Sequence, residues 1–287
     1  MAGDFTQMDG RVCVITGATS GIGRAAASEL AALGARVVIV ARDPVRGAAA
    51  RDEISRETRN HEVALEVADL KSQRQVRDLA ARLLAALPEI HVLVNNAGLA
   101  LAERRLTEDG LEETFAVNHL APFLLTNLLL DRLRASAPAR VVTVASAAHR
   151  GAVIPFDDLN GERGFSGWLA YGWTKLANIL FTVELARRLE GSGVTATCLH
   201  PGVVATGFGR EGPLLIREFQ RWVGRLLLLD PQRGADTLVW LMSSPEVAGA
   251  SGGYYVKRRL QTPSRAARDA AAARRLWKVS ERLTGLT

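Results

Sequence analysis

Short runs of β-branched and apolar residues alternate along this chain with longer segments of helical periodicity. That alternation restricts the fold more than any other feature. The strand-like runs are residues 12–16, 37–41, 62–67, 92–95, 141–145 and 195–200, with a shorter one at 253–256. Several are apolar at consecutive positions, as parallel strands covered on both faces are. Helical patterns fill the gaps at 23–33, 44–56, 72–87, 107–133 (broken near Val117) and 168–189. Helical crossovers between short strands predict an α/β fold, a doubly wound Rossmann-like sandwich whose mostly parallel sheet has about seven strands.

No low-complexity linker and no internal repeat divides the 287 residues, and 48% are apolar, enough for one large core. The expectation is a single dinucleotide-binding catalytic domain over residues 1–262. The least regular stretch, 205–229, follows the sixth strand, where such sheets carry a substrate lid; the plainer reading is a surface connection. Residues 263–287 read as a basic C-terminal amphipathic helix with Ala266, Ala272, Leu276, Val279 and Leu283 on one side. It would dock on the body or on a second subunit, making a homo-oligomer possible, or touch an acidic membrane surface.

The net charge of +6 is concentrated in that tail: residues 257–287 hold nine basic and two acidic side chains, leaving about −1 for the rest. No nucleic-acid face is therefore expected. Two cysteines, Cys13 and Cys198, sit in apolar runs, which excludes a disulfide scaffold and a cysteine-based metal site. No metal site is predicted. The longest greasy stretch, 120–130, is interrupted by Pro122, Thr126 and Asn127 and falls short of the roughly 20 residues of a spanning helix. With no signal peptide at the start, these features point to a cytoplasmic protein without an integral membrane segment.

The first strand runs into Thr16-Gly17-Ala18-Thr19-Ser20-Gly21-Ile22-Gly23, which opens the first helix. Gly17 suits a tight turn, Gly21 a close approach of the pyrophosphate, and Gly23 close helix packing, with N–H groups of the helix end turned to the anion. Strand two ends in Ala41-Arg42-Asp43. It has no carboxylate where a ribose 2′-hydroxyl is usually held, and a guanidinium suited to a 2′-phosphate. This favours NADP(H) and leaves NAD(H) possible, since Asp43 either turns to the hydroxyl or pairs with Arg42. Arg24 would add positive potential nearby. Asp69-Leu70 and Asn95-Asn96-Ala97-Gly98 end strands three and four on the same carboxyl edge. Asp69 suits the adenine amino group. Asn96 either contacts the ligand or ties the strand ends.

Tyr171 and Lys175 stand four apart on one helix and share a face. An ammonium beside a phenol favours the phenolate, so Tyr171 can act as acid or base toward a carbonyl or alcohol. Ser146, at the end of the fifth strand, offers a hydroxyl to the substrate oxygen. Asn118 interrupts an apolar helix, and either satisfies core partners or bridges a water to Lys175. His149 and His200 read mainly as local packing. The sixth strand leads into Pro201 and Gly202, then Val204 and Thr206, with Thr206 suited to the nicotinamide amide. Leu99, Ala100, Leu101, Val153, Ile154, Trp168, Phe208, Leu214, Leu215 and Ile216 would wall an apolar substrate pocket.

On residues 16–23, 95–98, Asn118, Ser146, Tyr171/Lys175 and 201–206, the chain resembles the short-chain dehydrogenase/reductase family over about residues 10–256. The 25-residue span from Ser146 to Tyr171, and Lys175-Leu176-Ala177-Asn178-Ile179-Leu180-Phe181, resemble its retinol dehydrogenase-like branch. The resemblance implies that Tyr171 is the acid/base and that Lys175 lowers its pKa and binds the nicotinamide ribose. It also implies that Ser146 orients the substrate, that Asn118 completes a proton relay, and that Thr19, Ile22, Asp69, Leu70, Asn96 and Thr206 line the cofactor. Thr174 stands where the family usually has serine. No N-terminal anchor is visible, so a retinoid is not carried over. The expected activity is hydride transfer between NADP(H) and an apolar alcohol, ketone or aldehyde. The alternative is a non-catalytic dinucleotide-binding regulatory protein.

Overall fold

Strand β1 (Val12–Thr16) is buried at all five positions because its side chains serve two cores. Cys13 and Ile15 enter one with Ala26, Leu30, Leu238 and Trp240. Val12 and Val14 enter the other with Leu79, Leu83, Phe123 and Leu125. This two-sided burial is why the strand is apolar without alternation. The computed structural model describes residues 7–202 and 231–286, so the expected lid, 205–229, lies outside the described residues.

In chain order follow α1 (Gly21–Ala32), β2 (Arg36–Ala41), α2 (Pro44–Thr58), β3 (Val63–Val67), α3 (Gln73–Ala86) and β4 (Val92–Asn95). Then come α4 (Glu113–Phe115), a wide-turned segment (Ala116–Leu120), α5 (Ala121–Leu128), α6 (Leu130–Ala135), β5 (Ala139–Val144), α7 (Gly167–Arg188) and β6 (Val194–His200). The described chain closes with α8 (Pro231–Ser243), β7 (Tyr254–Val256), β8 (Arg259–Leu260) and α9 (Ala270–Thr284). The sheet order is β3-β2-β1-β4-β5-β6-β7-β8, parallel throughout except for β8. The eighth strand, two exposed residues antiparallel to β7, is too short to show in the sequence. Connections depart in opposite directions from β1 and β4, so their loops diverge and open a crevice at the carboxyl edge.

Two local departures from the sequence reading matter for the site. The helical pattern from 107 becomes a turn, in which Thr107 accepts from Asp109 N–H at 3.2 Å, and helix begins only at α4 under a Glu112 cap. Beyond it, Pro122 has no N–H for the carbonyl four residues back. The chain widens to a π-helical turn, with Ala121 N–H donating to Ala116 O. At the start of α3, Ser72 Oγ accepts from Gln75 N–H at 3.3 Å, and Gln75 Oε1 accepts from Asp69 N–H at 2.9 Å.

Helix α9 starts where Asp269 accepts from Ala271 and Ala272 N–H. That restart sets its phase. The buried side is Ala273, Leu276, Trp277, Ser280 and Thr284, and Val279 is only half-buried. Trp277 packs edge-on to Phe123, with centroids 4.9 Å apart, stacks on Phe181 at 5.9 Å, and lies under the Arg188 guanidinium at 4.1 Å.

Candidate active site

The turn after β1 needs two of its glycines for space. Gly17 has φ +69°, and a Cβ there would sit 2.8 Å from the Ala97 Cα. A Cβ on Gly23 would sit 2.4 Å from Asn96 Nδ2 and 2.5 Å from the Gly17 carbonyl oxygen. The first turn of α1 can therefore close on the ends of β1 and β4. Ser20 makes no side-chain cap, so the first N–H groups of α1 remain for an anion.

A cleft of about 970 Å³ crosses the carboxyl edge. Gly17, Thr19, Ser20, Gly21, Ile22, Gly23, Arg42, Asp69, Leu70, Asn96, Ala97, Gly98, Pro201 and Gly202 border it, together with Ser146, Tyr171 and Lys175. Val204, Thr206, Phe208, Leu214, Leu215 and Ile216 lie outside the described residues. The donor set fits a dinucleotide: helix N–H groups in the middle, cations at one end, and a phenol and ammonium at the other.

Several expected residues are placed elsewhere. Asn95 is buried beneath the cleft and donates to Thr126 Oγ1 at 3.0 Å, because successive strand residues face opposite ways. Asn96 ties the strand ends, donating to the carbonyls of Thr16 at 2.8 Å and Gly17 at 3.0 Å. Arg24 turns from the cleft to Glu53 and Glu57 on α2, at 3.0 and 2.8 Å. Asn118 is fully buried and does not border the cleft. It accepts from Leu99 N–H at 2.8 Å and donates to Leu99 O at 2.9 Å and Thr174 Oγ1 at 3.0 Å. Its amide holds the Leu99 loop and α7 in place, and its Oδ1 and Lys175 Nζ flank one point beside Gly98, 3.3 and 3.4 Å from where a Cβ on that glycine would sit. Among the apolar wall, Leu99 and Trp168 border the cleft. Ala100, Leu101 and Ile154 are buried, and Val153 is 77% exposed beside a neighbouring shallow cavity.

Asp43 does neither of the two things its sequence allowed: its carboxylate caps α2, accepting from Val45 and Arg46 N–H at 2.9 and 3.1 Å. Arg42 is thereby left exposed, without an ion pair to Asp43. Arg46, in the first turn of α2, borders the same cleft.

At the reacting end, Ser146 hydrogen-bonds the Tyr171 phenol, and burial pushes that phenol up to about 12. Lys175 is 3% exposed, and burial pulls its ammonium down to about 8. Its Nζ donates to the Val144 carbonyl at 3.0 Å and lies 5.7 Å from the Tyr171 ring centre. Thr174 donates to the Tyr171 carbonyl at 2.9 Å, so the hydroxyl at this position is used for structure. His149 is locked at both nitrogens, by the Ser146 carbonyl at 2.7 Å and Ser264 N–H at 3.2 Å. His200 borders the cleft, and burial pulls it down to about 4, so it is neutral.

The short chain dehydrogenase family profile matches residues 11–212. The chain belongs to the short-chain dehydrogenase family. Human retinol dehydrogenase 14 is 44% identical over 299 residues, covering 99% of this chain and 89% of that protein. A crystal structure of an uncharacterised Mycobacterium paratuberculosis protein is 36% identical, with a TM-score of 0.80 over 99% of this chain and 97% of its own. The Pseudomonas aeruginosa RhlG/NADP complex is 26% identical, with a TM-score of 0.70 over 88% and 96% of the two chains. As a short-chain dehydrogenase, the protein is an NAD(P)-dependent oxidoreductase that moves a hydride to or from small apolar carbonyl or alcohol substrates. No helix among the described residues is long and apolar enough to cross a membrane.

Proposed function

We propose that this short-chain dehydrogenase interconverts apolar ketones or aldehydes and their alcohols with NADP(H) preferred over NAD(H). Tyr171 is the acid/base, Ser146 the substrate-oxygen holder and Lys175 the supporting cation. The observation that carries this reading is the polarity of one continuous cleft. Arg42 and Arg46 stand at one end, with the nearest carboxylate spent on a helix cap, and Ser146, Tyr171 and Lys175 meet at the other.

The bound dinucleotide supplies or accepts the hydride. Burial keeps the Tyr171 phenol protonated, so in the reducing direction it enters the reaction as a proton donor. Ser146 and Tyr171 both reach the oxygen on which negative charge develops, and the Lys175 ammonium favours the phenolate left behind. Leu99 and Trp168 give the substrate an apolar wall. The name of human retinol dehydrogenase 14 refers to an apolar alcohol, which agrees with that class without selecting a member of it. Asn118, whose Oδ1 and Lys175 Nζ flank one point beside Gly98, completes the proton relay. The single catalytic domain over residues 1–262 and the catalytic set Asn118, Ser146, Tyr171 and Lys175 belong to this reading.

Cofactor consumption by the purified enzyme over a panel of apolar ketones, aldehydes and alcohols tests it. Turnover should be faster with NADPH than with NADH. Tight dinucleotide binding without turnover on any of them would instead favour the non-catalytic regulatory protein.

A further inference from the structure

Two segments far apart in sequence wall the cleft outside the sheet. The stretch between β4 and α5 contributes Leu99, Glu113 and Val117, and the connection from β5 into the start of α7 contributes Arg150 and Trp168. Much of each segment is irregular, so the gap between the two walls is set by side chains and not by a ladder of backbone bonds.

Asn160 ties one wall to the other. Its Oδ1 accepts from Glu112 N–H at 3.0 Å, its Nδ2 donates to the Gly110 carbonyl at 3.1 Å, and its own carbonyl accepts from Arg104 Nε at 2.6 Å. A backbone N–H can only donate and a carbonyl can only accept, so one orientation of the amide satisfies both contacts. The two sides are shaped for this meeting. On one, Thr107 N–H donates to the Leu111 carbonyl at 2.8 Å and closes the turn that presents Gly110 and Glu112. On the other, Asp158 accepts from Glu162 and Arg163 N–H at 2.7 and 3.0 Å, and Gly161 takes φ +64° beside Asn160.

Glu112 carries the tie on to the cleft. It is 1% exposed and accepts from Thr114 and Phe115 N–H at 2.9 and 2.8 Å, which satisfies the first turn of α4. Its neighbour Glu113 borders the cleft, and Phe115 packs on Trp173, two residues beyond Tyr171, with ring centroids 5.0 Å apart. Asn160 itself is half-buried and does not border the cleft.

We propose that Asn160 is a clasp that fixes the spacing of the two walls, a positioning residue that sets which apolar carbonyl compounds the cleft accepts. The proposal rests on the reading of this cleft as the site of an apolar carbonyl or alcohol. With the clasp closed, Leu99 and Trp168 meet a substrate of the right width as fixed surfaces and turn away bulkier ones. With it open, the fitting substrate loses contact and the bulkier one gains entry. Ser146, Tyr171 and Lys175 stand on β5 and α7, outside the tie, so the proton-transfer groups stay where they are.

The test is steady-state kinetics on a series of apolar ketones and aldehydes of increasing width, with NADP titration and denaturant unfolding alongside, for wild type, Asn160→Ala, Asn160→Asp and Arg104→Met. Asn160→Ala should raise KM for the best substrate at least about fivefold, with kcat and NADP affinity within about twofold, because binding and not chemistry is lost. Its preference for that substrate over the next wider one should narrow at least about threefold. Asn160→Asp keeps the acceptor for Glu112 N–H and gives up the donor to Gly110, so it should recover part of the KM. Arg104→Met cuts the tie at the Asn160 carbonyl and should move KM and preference in the same direction as Asn160→Ala. An unchanged KM and preference in Asn160→Ala and Arg104→Met would overturn the clasp, and so would a fall in kcat, NADP affinity and stability together with the preference intact. A wild-type enzyme that turns over none of the series would overturn the reading of the cleft, and the proposal with it.

Discussion

The two ends of the cleft are built on different physical principles. The nucleotide end is made of backbone and exposed charge: glycines that let α1 close on β1 and β4, uncapped helix N–H groups, and two arginines at the surface. The reacting end is made of buried side chains whose hydrogen bonds run through α7, the wide turn and α9. Such a division predicts that damage at the first end falls on cofactor affinity and damage at the second on rate or stability. The contrast can be broken at either end.

The largest effect is expected behind the reacting end. Trp277 is 4% exposed and fills the space between Phe123 and Phe181, so Trp277→Ala should cost about 3–5 kcal/mol of folding stability. Denaturant unfolding measures the loss. In the fraction that remains folded, NADP affinity should be close to wild type, and a parallel collapse of affinity would erase the distinction between the ends.

Next is Gly23→Val, whose Cβ would collide with Asn96 and the Gly17 carbonyl. Moving the first turn of α1 away should cost about 2–3 kcal/mol in cofactor binding, on the order of 10²-fold in Kd. Normal binding by isothermal titration would show that the turn does not hold the phosphates. A smaller effect belongs to Arg42→Ala, which removes one charge-assisted contact worth about 1.5–3 kcal/mol, or roughly 10- to 100-fold in NADP affinity. NAD affinity should change far less. Equal losses for the two would mean that Arg42 supports the loop.

The smallest effect is one of pH. Lys175 falls from its ordinary 10.5 to about 8, so its ammonium is present below that pH and lost above it. The profile of kcat/KM for NADPH, which reports the free enzyme, should be level on the acid side and fall through a midpoint of about 8. A midpoint near the ordinary lysine value would show that burial does not tune this group.

Much of the nucleotide end was legible in the sequence because its determinants are local. A glycine turn between a strand and a helix, and an arginine at a strand end, carry their geometry in their spacing. Strand alternation also separates the neighbouring asparagines, since Asn95 and Asn96 cannot both enter one cleft. At the reacting end the spacing of Tyr171 and Lys175 placed two groups correctly, while the burial that sets their acidity depends on segments far away in sequence. Asn118 showed itself as a polar interruption, but its partners, Leu99 and Thr174, are 19 and 56 residues away. Most of the expected face of the C-terminal helix meets the core, with Leu276 buried and Ala266, Ala272 and Leu283 packed against it, while Trp277 and Ser280 join it from positions the apolar pattern left out. His119 and Ser280 are separated by 161 residues, and no local pattern joins them.

The central claim is that chemistry and cofactor binding are separable, with the chemistry resting on the Tyr171 phenol. The direct test is Tyr171→Phe, which keeps the ring and removes only the oxygen, measured for NADP affinity by titration and for turnover on the best substrate of the panel. The account predicts an affinity within a few-fold of wild type and a turnover at least ~10²-fold lower. A Tyr171→Phe enzyme that turns over at a near-normal rate would contradict it.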